Sequence, residues 1–225
     1  MIEKYFFKNF FNRKSSRKKI LEKFNARKLN KIFLSSYKKF GKSYFDNDKI
    51  GIGYGSYKYD GRFKKNAKKL INFFKLKRGN KVLEIGCAKG YFLVEFFKLG
   101  MNVLGIDKST YAKKNSHPLI KKYIKNYDIE KKLNFKKNNF DFVFCKEVFP
   151  HISPSNIKKI IKEIQRLVKN PKNIYLEIQT FEKKKDLNLF KKWDLTHKSC
   201  YTRTEWLKIL KKNNFSGYIS FKNLF

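Results

Sequence analysis

Two short runs, KVLEIGCAKG from Lys81 to Gly90 and VLGID from Val103 to Asp107, constrain this 225-residue chain more than any other feature. The first is an apolar strand pattern that passes through an acid, Glu84, into a turn bearing Gly86 and Gly90. An amphipathic helix pattern, YFLVEFFKLG, follows, and the second run is another apolar strand that ends on an acid, Asp107. Strand, glycine turn, helix and strand in that order make a crossover unit of a parallel sheet. A glycine turn lets backbone approach a ligand, and an acid ending the second strand accepts the hydroxyls of a ribose. The unit reads as a nucleoside site.

A dinucleotide site needs Gly-x-Gly-x-x-Gly, whose second glycine admits a pyrophosphate onto the helix N-terminus. Here Glu84, Gly86 and Gly90 enclose Cys87, Ala88 and Lys89, and that second glycine is absent. The cofactor suited to such a turn has no phosphate to cradle. The pattern acid-x-Gly-x-x-x-Gly, followed 21 residues after Gly86 by Asp107, resembles the class I S-adenosylmethionine-dependent methyltransferases, bacterial small-molecule type.

The resemblance runs from about Tyr54 to Phe225 and implies a Rossmann-like α/β fold. Its sheet is mostly parallel and seven-stranded with helices on both faces, here preceded by an N-terminal helical extension. It implies S-adenosylmethionine as cofactor, with Gly86, Cys87, Ala88 and Gly90 near the methionine part. Glu84 and Asp107 are the acids, with Lys108 beside the second and Lys146 at the end of the fourth strand. Asp128 and Ile129 stand where such enzymes bind the adenine amino group and ring. A Tyr-Lys-Tyr-Asp-Gly-Arg run, Tyr57 to Arg62, is similar to one in a subset of these enzymes; by that likeness Arg62 meets the cofactor carboxylate and Tyr57 or Tyr59 the substrate. Read from the residues alone, Arg62 equally closes a turn onto Asp60. The tail from Lys191, with Asp194-Leu195-Thr196-His197, is similar too and makes Asp194 a substrate-side residue. Asn134 departs from the family by replacing a turn proline.

Methyl transfer from a sulfonium is an in-line displacement, so the protein aligns the nucleophile, excludes water and, for a hydroxyl, removes a proton. A base belongs at the carboxyl ends of the strands. The candidates there are His151, Glu147 and His197, since imidazole titrates near neutral pH. The spacing of His151, Asp194 and His197 is not diagnostic of a metal, and none is expected. The acceptor implied is an O or N atom of a small molecule, with the resemblance suggesting a sugar or glycan precursor.

The formal charge of +37 raises the alternative of RNA methylation guided by the basic front. Residues 1–78 hold 24 basic against 5 acidic side chains, yet the remainder carries almost the same excess, so the charge marks no one face. Lysine abounds together with Asn, Ile and Phe, a usage that A+T-rich coding produces without a partner. The base-amino methylating Asn-Pro-Pro-Tyr type motif is absent, because the fourth strand ends CKEVFPH. A cofactor-binding protein without catalysis is the third reading.

The division expected is an extension with a glycine-rich loop over residues 1–60 and a methyltransferase domain over 61–225. Ile20, Phe24, Leu29, Ile32, Phe33, Tyr37 and Phe40 recur at helical spacing, which predicts a basic amphipathic helix or pair that packs on the domain. The aromatic cluster Tyr5, Phe6, Phe7, Phe10 and Phe11 adds a peripheral membrane contact as a lesser option. IGIGYGSYKYDGRF, Ile50 to Phe63, suits a loop closing over a ligand. Ser155 is expected to cap a helix running to Val168, and Thr202 with Glu205 to form a capping box. Three separated cysteines suggest a reducing compartment, and no signal core or apolar span is seen, so a cytoplasmic location is expected.

Overall fold

The computed structural model describes residues 1–7, 14–25, 29–47 and 51–225. Phe10, Phe11 and Ile50 of the segments above lie outside the described residues. The strands are β1 (Ile2–Glu3), β2 (Lys81–Ile85), β3 (Asn102–Asp107), β4 (Ile124–Asn126), β5 (Phe142–Lys146), β6 (Ile174–Thr180) and β7 (Tyr218–Asn223). They form one sheet in the order β1-β7-β6-β5-β2-β3-β4, and every pair is parallel. The chain winds outward from β2 through β3 to β4, then returns to β5 and winds the other way. The strand order therefore reverses between β2 and β5, where open α/β sheets hold ligands beyond the carboxyl ends of the strands.

Parallel strands covered on both faces need apolar side chains on both, which is why β2 and β5 read as continuous apolar runs. On one face Leu83, Ile85, Val143 and Cys145 pack with α7 (Ile157–Leu167) and α9 (Arg203–Lys212). On the other, Val82, Phe142, Phe144 and Tyr175 pack with α4 (Lys64–Phe73) and α5 (Leu93–Lys98). α7 buries Ile157, Ile160, Ile161, Ile164 and Leu167, the one face that its i, i+3, i+4 spacing dictates. It starts after a 3-10 turn, Pro154–Asn156, with no side-chain cap, so Ser155 lies inside that turn rather than capping the helix. Thr202 and Glu205 do form the capping box of α9. Asp141 fixes the start of β5 by accepting from Lys81 N at 2.7 Å and from Lys169 Nζ at 2.7 Å.

The N-terminal segment is not purely helical. β1 adds to the edge of β7, with Lys4 N donating to Ile219 O at 2.8 Å. Beyond it Phe6 is buried, its ring 4.8 Å from Phe73 and 5.0 Å from Tyr175 between centroids. The helix pair follows as α1 (Lys14–Lys23) and α2 (Lys31–Lys38), the latter capped by Asn30, whose Oδ1 accepts from Phe33 N at 2.7 Å. With the short α3 (Lys42–Phe45) these pack against α8 (Leu187–Trp193) and the C-terminal Leu224 and Phe225, forming a third core over the carboxyl edge of the sheet. Leu21, Tyr37, Tyr44 and Phe45 are buried there, whereas Ile32 faces outward. The last strand is single and parallel, not a hairpin. α6 (Thr110–Lys114) completes the helices.

Candidate active site

The turn after β2 is held by backbone geometry that its sequence demands. Gly86 has φ +69°, Ala88 φ +49°, and the N–H groups of Gly86 and Cys87 both donate to Ile106 O. A Cβ on Gly86 would stand 2.2 Å from Val148 Cγ2, so only glycine lets β5 and this turn approach. Asp107 closes the turn from the next strand, its Oδ2 accepting from Ala88 N and its Oδ1 from Ser109 N, each at 2.8 Å. Burial pushes the Asp107 carboxyl up, against the pull of those two N–H groups.

These elements line a pocket. Of the residues singled out in the sequence it brings together Gly86, Ala88, Asp107, Lys108, Asp128, Ile129, Lys146, Glu147 and His151. Others lie elsewhere. Arg62 pairs with Asp60 at the surface, Nη2 to Oδ2 at 2.5 Å, with more than half of its side chain exposed, because their turn spacing lets the two meet before either reaches the pocket. Gly90 serves close packing, since a Cβ there would meet Ile120 Cδ1 at 2.3 Å, and Cys87 is buried against Gly105. Tyr57 and Tyr59 also stay outside the lining. Tyr57 packs on Tyr91, and the Tyr59 hydroxyl donates to Glu95 Oε1 at 2.6 Å. Glu84 is buried behind the turn, its Oε2 without a hydrogen-bond partner, and burial raises its carboxyl well above the usual range.

The roof is aromatic and comes from the N-terminal segment: Phe40, Tyr44, Phe45 and Tyr54. Sequence periodicity marks Phe40 only as one residue of an apolar stripe, and Tyr54 belongs to the glycine-rich loop expected to close over a ligand; Tyr44 and Phe45 carry no signal beyond residue type. Lys89, inside the glycine turn, ties this roof down by donating to both Asp46 oxygens at 2.7 Å and to Tyr57 O at 3.0 Å. A shallower groove continues from the mouth past Phe40, Tyr127 and Asp128, carrying Lys38, Lys39, Lys108, Lys131 and Lys132.

The three candidate bases differ in what already holds them. Glu147 sits at φ +60°, a strained position for a non-glycine residue, and its carboxylate accepts from Lys222 Nζ at 2.9 Å, from Gln179 Nε2 and from Lys146. Those partners occupy its oxygens. Burial lowers the Lys146 ammonium to about 8, although Glu177, 3.0 Å away, opposes the fall. His151 instead meets Thr196 Oγ1 through Nδ1 at 2.8 Å. The Thr196 hydroxyl donates to Asp194 Oδ1 at 2.6 Å, so its lone pair accepts from Nδ1–H and leaves His151 Nε2 unprotonated. Burial lowers His151 to about 4, against the attraction of Asp194, and the imidazole is neutral at pH 7. His197, also lowered by burial, stacks on Phe190 with ring centroids 4.4 Å apart. Its side chain lies 5.0 Å from His151 between centroids, behind the pocket wall.

The Asp194 carboxylate orders this corner. It accepts from Thr196 N at 2.9 Å, from Tyr44 Oη at 2.9 Å and from Tyr37 Oη at 3.4 Å. Burial alone would raise it; the two histidines and Thr196 hold it below the usual carboxylate range. Thr196 and the two tyrosines were not candidates from the sequence, and only their side-chain chemistry, not spacing, could have suggested them.

The protein family described as "Methyltransferase domain" matches residues 59–218. Among solved structures, the YcgJ protein of Bacillus subtilis is similar at TM-score 0.55 and 18% identity, over 65% of this chain and 66% of that one. A SAM dependent methyltransferase from Aquifex aeolicus is similar at TM-score 0.50 and 21% identity, over 69% and 88%. One from Archaeoglobus fulgidus is similar at TM-score 0.50 and 20% identity, over 82% and 74%. No curated protein matches the chain.

Proposed function

We propose, for a chain that belongs to the methyltransferase-domain family of class I S-adenosylmethionine-dependent enzymes, that the methyl acceptor is a hydroxyl group of a small molecule and that His151 takes its proton. The observation that carries this reading is that one roofed pocket is lined by Asp107, Asp128 and a neutral, oriented imidazole.

The residues present fit the cofactor. The carboxylates of Asp107 and Asp128 and the Lys146 ammonium line the same pocket, a donor and acceptor set matched to hydroxyls, an amino group and a carboxylate. Asp107 would hold the ribose hydroxyls, Asp128 the adenine amino group with Ile129 against the ring, and Lys146 the methionine carboxylate. S-adenosylmethionine, when bound, supplies an electrophilic methyl group on a sulfonium. His151 Nε2 accepts the acceptor's proton, while Thr196 and Asp194 hold the ring in the tautomer that permits it. Phe40, Tyr44, Phe45 and Tyr54 exclude water from above.

Calorimetry and methyl-transfer assays over hydroxylated small molecules and total RNA test this. Asp107→Ala should weaken cofactor binding by roughly 2 to 3 kcal/mol, as for hydrogen bonds to a charged group. His151→Ala should keep cofactor affinity and lower turnover about 10² to 10⁴-fold. Methyl incorporation into RNA alone, or full activity of His151→Ala, would overturn the assignment.

A further inference from the structure

We propose that His151, Asp194 and His197 form a divalent-cation site at the acceptor end of the pocket. Two of the chain's three histidines are in this group, and one donor atom of each residue lies within 4.8 Å of the others. Bonds of about 2.1 Å from nitrogen and oxygen ligands would draw them together by about an ångström.

A count of protons carries the inference further. His197 Nδ1 lies 3.3 Å from Phe190 O, and Nε2 lies 3.2 Å from Gln179 Oε1 and 3.9 Å from Asp194 Oδ2. The Gln179 amide hydrogens point the other way, to Glu147. Every atom facing the His197 ring nitrogens is thus an acceptor, whereas a neutral imidazole has one proton to give. With Nδ1–H donated to Phe190 O, as metal-bound histidines commonly donate to a carbonyl, the Nε2 lone pair faces two oxygens with no hydrogen between them. A cation resolves that conflict. The second imidazole is prepared in the same way, because Nδ1–H of His151 is spent on Thr196 and Nε2 is left bare. Asp194 is fixed by Thr196 and Tyr44, the kind of outer partner that orients a ligating carboxylate.

Two imidazoles, a carboxylate and a nearby amide oxygen suit Zn²⁺, Mn²⁺ or Fe²⁺ better than Ca²⁺ or Mg²⁺. His151 lines the pocket and the other two stand behind it, so an ion there borders the acceptor. With the ion bound, His151 is a ligand in place of a base, and the ion would polarise the acceptor oxygen and lower its pKa, so that the hydroxyl proton passes to solvent as the C–O bond forms and the C–S bond breaks. This deepens the reading proposed above and rests on it only for that role; the binding itself requires neither cofactor nor acceptor. The neighbouring cluster of Lys146, Glu147, Glu177 and Lys222 offers no such site, since its carboxylates are already paired with its lysines.

The test is a titration of the chelator-treated full chain with Co²⁺, followed by its visible absorption, and with Zn²⁺, followed by calorimetry and thermal melting. One equivalent should bind and raise the melting temperature. His197→Ala and Asp194→Asn should each weaken binding about tenfold or more, and His117→Ala should leave it unchanged. Retained cofactor affinity in His197→Ala shows that the variant is folded. Failure of either ion to bind at millimolar concentration, or equal binding by His197→Ala, overturns the site, and an unprotonated pair is then replaced by a His197 imidazolium. If the ion binds but no hydroxyl acceptor is found, the proposed function fails while the site stands. If chelator leaves methyl transfer to a hydroxyl intact, the proposed function stands and the ion's role in it fails.

Discussion

Asp194 receives donors from three separate parts of the chain, and through Thr196 it decides which nitrogen of His151 carries a proton. Thr196→Val keeps the volume but removes that hydroxyl. It should reduce turnover at least about tenfold with cofactor affinity unchanged, read as kcat against Kd. His151 was a candidate from the sequence because it follows the fourth strand, and Asp194 because its Asp-Leu-Thr-His run is similar to the family's tail. The Tyr44 contact was not, since 150 residues separate it from Asp194 and no spacing rule spans that distance. Arg62 illustrates the opposite: a familiar run of letters whose arginine is satisfied by its neighbour Asp60. Glu130 shows a residue whose value lies in acid behaviour. Burial would raise it, yet Asn156, Ser153 N–H and Lys198 hold its carboxyl at about 2, below the usual 4.5. Because the folded value is the lower one, its contribution is complete above about pH 4.5 and is lost as pH falls toward 2. Glu130→Gln should cost about 1 to 3 kcal/mol at pH 7 and much less near pH 2, measured as urea midpoints at both.

At the scale of elements, the strand-turn-strand unit of β2 and β3 was readable because apolar runs, two glycines and a terminal acid each have a separate physical cause. What the turn touches was not readable. A substitution at Gly86 meets Val148, two residues past the end of β5, rather than only a ligand. Gly86→Ala should destabilise by about 1 to 3 kcal/mol, from the positive φ together with the steric conflict. Combining it with Val148→Ala should recover part of that loss, the steric share, in thermal melts. β1 was invisible beforehand, since a two-residue strand has no periodicity and its partner lies more than 200 residues away. The helix pair α1 and α2 was visible because its apolar stripe recurs, while the roof that Phe40 and α3 form just after the pair depended on which surface they met.

For the molecule as a whole, the charge of +37 tells less than the packing. Lysines border the mouth groove, and also every other surface. Binding to RNA should be sequence-blind and fall by orders of magnitude between about 50 and 200 mM salt, measured by filter binding; tight binding at physiological salt would give the groove a nucleic-acid role. Among the described residues no helix is long and apolar enough to cross a membrane. Of the aromatic front, Phe6 is buried in the core while Tyr5 is exposed, and Phe6→Ala should cost about 3 kcal/mol in denaturant unfolding.

The pairing of Ile2–Glu3 with Tyr218–Asn223 also sets an order of events during synthesis. β1 has no seat until β7 has been made, so its aromatic neighbours wait in water while the more than 200 residues between the two strands are synthesised. Pauses before β7 is complete therefore prolong the interval in which Phe6 and Phe7 are open to chaperones or to another nascent chain.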